Sequence, residues 1–158
     1  PAEWDLLRAI RLPALQSDPH VFGGSYAGEK DRGADIWRGW LEDADTAVFG
    51  VFDGAEIAGM TAIAVAKDDP SKKTAKMWGS GLRPSLRGRG LSVPMYRLRI
   101  DWARAHPTVE KIIVSHRASN AASMRANRKH GFVRTHEESH VWHDGVEEAH
   151  VFYELRVK

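Results

Sequence analysis

A chain of 158 residues, 42% hydrophobic and 28% charged, has enough apolar surface to bury a core and too much to remain disordered. A net charge of +2 calls for no nucleic-acid partner, and no apolar run approaches the ~20 residues that cross a bilayer. Cysteine is absent, which excludes disulfides, thiolate zinc sites and a cysteine nucleophile, and agrees with a reducing, cytoplasmic setting.

Residues 3–16 read as a helix, because Trp4, Leu7, Ile10 (or Arg11) and Leu15 recur at near-helical spacing. Asp18-Pro19 and Phe22-Gly23-Gly24-Ser25 break it into a flexible connection. Residues 35–41 form a short second helix with Ile36, Trp37 and Trp40 available for packing. Residues 46–52 and 56–66 are β-rich, and Asp53-Gly54 between them signals a tight hairpin. A charged loop over 67–73 leads to a third strand over 74–82, whose Gly79 and Gly81 mark a bulge or a close backbone approach.

From 90 to 105 the pattern turns helical, with Leu91, Met95, Leu98 and Trp102 on one face. Pro94 belongs in a first turn, where amides need no internal acceptor, and so sets the start near 90 or 91. Residues 109–115 are a β-branched strand, and 119–130 a helix that Gly131 ends. A last hairpin pairs 132–143 with 146–157 around Asp144-Gly145. The strand 74–82, the helix 90–105 and the strand 109–115 make a βαβ unit, whose strands run parallel. The fold class is therefore mixed α/β.

The segment 82–92 joins that strand to that helix. Gly88 and Gly90 let the backbone curl and aim successive N–H groups at one spot, and the helix N-terminus adds partial positive charge. Arg87 and Arg89 supply bidentate donors for phosphate oxygens. The result is a pyrophosphate cradle. It is neither a P-loop, since no Gly-Lys-Ser/Thr follows, nor a dinucleotide fingerprint, since the third glycine is missing. Arg83, Arg87, Arg89, Arg97, Arg99 and Arg104 crowd the same stretch, as a polyphosphate ligand or a solvated basic face would require.

This stretch resembles the acetyl-CoA motif of the GNAT superfamily of N-acetyltransferases, Arg-x-x-Gly-x-Gly/Ala after Val-x-Pro. Arg87 and Gly90 match, Ser92 replaces the last small residue, and Leu82-Arg83-Pro84 matches upstream with leucine for valine. Pro94 departs from the pattern. A second element agrees: Asn120 followed by a helix ending in Gly131-Phe132. Asn120, Ser123, Asn127 and His130 form one polar stripe on that helix, either a solvated face or a ligand-facing one. The resemblance covers roughly 3–157 and is strongest over 82–132.

The resemblance implies a GNAT-like acyl-CoA N-acyltransferase fold: a mostly antiparallel sheet with a parallel βαβ splay, flanked by helices. It implies a single domain over 1–158, with a short strand expected upstream of Pro1. Acetyl-CoA is the implied co-substrate, with no metal. The backbone at Leu82 would bond the pantetheine or the thioester carbonyl. Amides of Arg87, Gly88, Arg89, Gly90, Leu91 and Ser92 would hold the pyrophosphate. Asn120 would contact the pantetheine arm, with Asn127 and Lys129 nearer its far end. The acceptor, a small-molecule or peptide amine, would lie between the connection 20–29 and the hairpin 137–148. Glu137, Glu138, Asp144, Glu147 and Glu148 there would attract a cationic amine, or are solvated turn charges. No nucleic-acid or membrane partner is implied, and a homodimer is compatible with the family.

Acetyl transfer to an amine needs the amine deprotonated, a donor for the oxyanion and a proton for the departing thiolate. Asn127 stands where many family members carry a tyrosine for the last task, and an asparagine is no proton donor. Another group supplies the proton, or the thiolate leaves unassisted. His116 is a candidate base and Tyr153 a further catalytic candidate, against ordinary loop and strand-packing roles. Glu29 is a weaker one. His136, His140, His143 and His150 straddle a hairpin and fit no common ligand spacing, so no metal is expected. The competing readings are transfer of a longer acyl group, a catalytically inactive acyl-CoA-binding module, and a nucleic-acid binder using the arginine stretch.

Overall fold

The computed structural model describes residues 2–158. In chain order it holds α1 (Trp4–Ser17), α2 (Tyr26–Glu29), α3 (Ala34–Glu42), β1 (Thr46–Asp53), β2 (Glu56–Val65) and β3 (Thr74–Leu82). Then come α4 (Ser92–Ala105), β4 (Lys111–Arg117), α5 (Ala121–Lys129), β5 (Val133–Val141) and β6 (Glu147–Arg156). The six strands form one sheet in the order β1-β2-β3-β4-β6-β5, antiparallel except for β3 beside β4. The expected βαβ unit and both hairpins are present.

Alternation along the strands sends side chains to two faces with separate cores. On one face α4 and α5 cover Ile63, Val65, Ala75, Met77, Ile112, Val151 and Tyr153. On the other, α1 and α3 cover Met60, Ala62 and Trp78. Trp37 is fully buried there and meets Trp40 edge-on at 5.2 Å, with Trp78 next in line.

Three expectations need correction. The connection after α1 is not merely flexible: it contains α2, whose start is capped by Ser25 Oγ accepting from the Gly28 amide. α4 begins at Ser92, not at 90 or 91, because Gly88 and Gly90 both take positive φ (75° and 78°) and spend those residues on the turn. Its buried seam is Met95, Tyr96, Arg99, Ile100 and Ala103, while Leu98 is 46% exposed. The apolar residues Leu91, Leu98 and Trp102 suggested a different face because an arginine does not read as a core position.

A buried Arg11–Glu29 pair ties α1 to α2, with Nε and Nη2 donating to the two carboxylate oxygens at 2.6 and 2.7 Å. Gly24 passes so close that a Cβ there would overlap Glu29 Oε1, so the pair demands a glycine at that point. Replacing Glu29 with Gln leaves the Arg11 guanidinium buried and uncompensated. Urea denaturation of that variant is expected to show a loss of about 3–5 kcal/mol.

Candidate active site

β3 and β4 pair only through Thr74↔Lys111, Ala75↔Ile112 and Lys76↔Ile113, and then part. Two local causes hold them apart. Gly79 takes φ 67°, so that Gly79 and Ser80 together oppose the single residue Thr61 of β2, a bulge that bends β3 away. Meanwhile β4 pairs with β6 along its whole length, from Lys111↔Arg156 to Arg117↔His150. The facing edges of Met77–Leu82 and Val114–Arg117 therefore leave a slot in the sheet, edged by backbone groups that an extended ligand can bond.

At one end of the slot lies the turn between β3 and α4, after a short 3₁₀ turn over Pro84–Leu86. Arg87 and Val93 donate their amides to Pro84 and Gly90 carbonyls, but those of Gly88, Arg89, Gly90, Leu91 and Ser92 have no acceptor among the described residues. A Cβ at Gly88 or Gly90 would meet nothing within 4 Å, so the bend is open above. The arginines around it do not act as one patch. Arg87 Nε donates to the Leu82 carbonyl and its Nη2 to Asp18 at 2.5 Å, an interaction that lowers the Asp18 pKa. Arg83 pairs with Glu56, and Arg97 and Arg104 with Asp101. Arg99 is buried. Arg89 is exposed and has no partner among the described residues.

The polar stripe of α5 turns inward rather than to solvent. Asn120 caps the helix, its Oδ1 accepting from the Ser123 amide at 3.0 Å. Asn127 is fully buried, and its Oδ1 accepts from the Tyr96 hydroxyl at 2.5 Å. His130 stacks on the Tyr96 ring at 4.2 Å. Burial, followed by the charges of Lys129 and Arg99, lowers its pKa and favours the neutral ring. Lys129 is exposed.

His116 and Tyr153 are brought together, their rings stacked at 5.3 Å on the face covered by α4 and α5. The His116 Nδ1–H donates to the Arg117 carbonyl at 2.6 Å, and its buried Nε2 has no partner among the described residues. Ser115, Arg117 and His150 alternate to the opposite face. There His150 Nε2 lies 2.7 Å from Ser115 Oγ, at the edge of the slot. Burial, with neighbouring His140, pushes the His150 pKa down, so its imidazole is neutral near pH 7. Sequence reasoning considered His150 only as a metal ligand; strand alternation across the β4–β6 pair is the signal that joins it to Ser115. His136 and His140 are packing rings, stacked on Phe152 at 4.5 Å and edge-on to Trp142 at 4.8 Å.

The acidic hairpin is a set of solvated charges only in part: Glu137, Glu138 and Glu147 are exposed, whereas Asp144 and Glu148 are held by Arg117. Arg117, 3% exposed, donates to both Asp144 and Glu148 and lies 4.9 Å over the Trp142 ring. His20 donates to Asp144 at 3.0 Å, and His143 donates to the Pro19 carbonyl at 2.8 Å. These bonds dock the tip of the β5–β6 hairpin against the connection after α1, over one mouth of the slot. Glu137 pairs with Arg134, and Glu147 accepts from Ser139 Oγ.

A parted sheet beside an amide-lined bend at a helix start is suited to a long anionic thioester threaded through the sheet. The architecture is that of an acyltransferase domain. The family model described as the acetyltransferase (GNAT) family matches residues 9–132, and the chain belongs to that family. A mycothiol acetyltransferase of Corynebacterium glutamicum is 34% identical over 115 residues, 73% of this chain and 33% of the relative. The chain thus spans about a third of that relative's length. An acetyltransferase of GNAT family from Streptococcus pneumoniae superimposes with a TM-score of 0.82 at 15% identity, covering 99% of this chain and 95% of that one. The yncA protein of Salmonella typhimurium, solved with its cofactor acetyl-CoA, gives 0.82 at 17% identity over 99% and 90%.

Asp144 is held well below the usual carboxylate range by Arg117, helped by the Val146 amide and His20; the Glu148 pKa is lowered by bonding from Ser119 and Arg117. Depressed carboxylates contribute stability that is present above about pH 4 and lost as pH falls through their folded values. The hairpin is therefore expected to stay docked from pH 7 to 5 and to loosen only below about pH 4. The difference in fluorescence between wild type and Trp142→Phe reads this directly.

Proposed function

We propose that the protein transfers an acetyl group from acetyl-CoA to the nitrogen of an amine, by direct attack of the amine on the thioester. The observation that carries this reading is the run of five successive amides, 88–92, that lack an acceptor among the described residues at the start of α4. Successive amides without acceptors beside a helix N-terminus suit a diphosphate. In this reading the main chain of Arg87, Gly88, Arg89, Gly90, Leu91 and Ser92 holds the pyrophosphate. Arg87 contributes chiefly by bracing the bend against Asp18, and Arg89 is a cation without a partner among the described residues. Leu82 and the rest of the β3 edge bond the pantetheine arm, Asn120 lies along it at the start of α5, Asn127 sits deeper and Lys129 faces solvent beside it.

The acceptor approaches from the face opposite α4 and α5, under the docked hairpin. His150, neutral and bonded to Ser115, is the group on that face able to take the amine's proton. His116, with its free Nε2, and Tyr153 are the proton-transfer candidates on the other side of the slot. Two features bear on the acceptor class. Arg117 is shared by Asp144 and Glu148 and Arg134 pairs with Glu137, while Glu138 and Glu147 meet no arginine or lysine among the described residues, so the hairpin keeps a net negative charge compatible with a cationic acceptor. The relative from Corynebacterium glutamicum carries the name of a small-molecule acetyltransferase, which favours a small-molecule amine over a peptide one. A cytoplasmic setting fits the absence of cysteine.

Asn127, in place of a proton donor, gives one specific reason for a second reading, an acyl-CoA-binding module without catalysis. A thermal melt followed by an amine panel separates the two. Acetyl-CoA at ~100 times its dissociation constant is expected to add about 2.7 kcal/mol of stability. Gly90→Val, which strains a positive φ and fills the bend, is expected to remove that shift while the variant still folds. In the amine assay His150→Gln is expected to lower kcat about 10²–10⁴-fold, a larger loss than His116→Gln. Absence of transfer to every amine, with the melting shift intact, would favour the inactive module.

A further inference from the structure

Arg99 is a buried cation with no counter-charge. Its residue is 2% exposed, yet no carboxylate pairs with it among the described residues. Nε donates to the Met95 carbonyl at 3.1 Å and Nη1 to Ser80 Oγ at 2.9 Å, and the guanidinium lies 4.6 Å from the centre of the Tyr96 ring. Burial lowers its pKa only to about 10, so it is charged at neutral pH. A buried charge of this kind gives the fold nothing that an apolar chain of similar length would not. Across Tyr96, the fully buried Asn127 Nδ2 has no acceptor among the described residues. Between α4 and α5 there is thus one positive charge with no carboxylate beside it among the described residues.

The position of this cluster says what it is for. Ser80 belongs to the β3 bulge at the edge of the slot, and Arg99 reaches it from the face covered by α4 and α5. An electron-rich group arriving in the slot beside Ser80 comes to the guanidinium bonded there, with the Asn127 amide behind it on the Tyr96 hydroxyl. We propose that Arg99, with Asn127 fixing Tyr96 beside it, receives the sulfur of coenzyme A and holds it as a thiolate when the acyl group departs, so that no acid has to protonate it. This rests on the acetyl-CoA reading of the slot. The amine nitrogen bonds to the carbonyl carbon, the C–S bond breaks and its electron pair stays on sulfur. The amine's proton passes to the base and then to solvent, and the thiolate takes up a proton from water after release.

The neighbours support this assignment. The Tyr96 hydroxyl donates to Asn127, and burial raises its pKa against the opposing pull of the Arg99 charge, so it stays protonated. The low pKa of His130 keeps that ring neutral, and Lys129 is exposed. No carboxylate enters the cluster among the described residues.

The test uses the whole chain and free coenzyme A, and so needs no knowledge of the acceptor. The thiol of bound coenzyme A is titrated by the ultraviolet absorbance of its thiolate. In the wild type it is expected to be about 10–1000-fold more acidic than in solution, as for a group beside an opposite charge. Arg99→Met should melt at or above the wild-type temperature, still bind coenzyme A and return the thiol to its solution acidity. Should that variant fail to fold, Asn127→Asp, which replaces the donor by a negative charge, is expected to make the bound thiol less acidic than in the wild type. A wild-type complex whose thiol titrates as in solution overturns the proposal. So does an Arg99→Met variant with unchanged thiol acidity that has lost a preference for succinyl-CoA over acetyl-CoA, since Arg99 would then serve an anionic acyl tail. If coenzyme A fails to stabilise the wild type at all, the acetyl-CoA reading fails and this one with it.

Discussion

The separation of β3 from β4 is the constraint on which the remaining features depend. Parallel neighbours in a sheet ordinarily bond along their shared length, and here they do so for three residue pairs only. The bulge at Gly79–Ser80 turns β3 aside, and β4 is committed along its other edge to β6. That divergence places every later segment of the chain. The turn after β3 comes up beside the opening, α4 starts with its free amides over it, and α5 closes the far side. The β5–β6 hairpin, anchored through β6 on β4, carries its tip across to the connection after α1.

Arginine is used in this chain in several physically distinct ways. Arg11 and Arg117 are buried cations matched by carboxylates, and each ties a peripheral segment to the sheet: Arg11 through Glu29 in α2, and Arg117 through Asp144 and Glu148 in the last hairpin. Arg87 is half-exposed and braces the phosphate turn against the end of α1. Arg99 alone among the buried ones has no acidic partner among the described residues. Matched pairs of this kind position loops more than they stabilise the fold, because desolvation offsets much of their attraction. The same reasoning makes the unmatched charge a feature that the fold by itself does not require.

Much of the architecture was legible in the residues. Periodicity, Asp-Gly turns and the βαβ order led to the right elements and the right parallel pair, and Gly79 was readable as a bulge. The glycine-rich bend between strand and helix could be found without coordinates, because positive φ and free amides are local properties of a few consecutive residues. Less was legible where burial depends on distant partners. Arg99 and Asn127 read as surface or ligand-facing polar residues, yet one is a seam position of α4 and the other is enclosed by Tyr96. The start of α4 was misplaced by one or two residues, since a proline bounds a first turn without saying which glycine ends the preceding loop.

The sequence by itself determined the local conformations, the order of elements, their likeness to an acetyl-CoA-binding family and the position of the phosphate turn. These follow from backbone preferences and from spacing within short segments. Only the tertiary structure decided which polar groups share a face, which charges are matched and which are left alone. It joined Ser115 to His150, turned His116 toward Tyr153 and away from them, and neutralised Asp144 with an arginine 27 residues earlier. Electrostatics acts through space and is set by burial, so residues far apart in the chain acquire their chemistry only once the strands are paired.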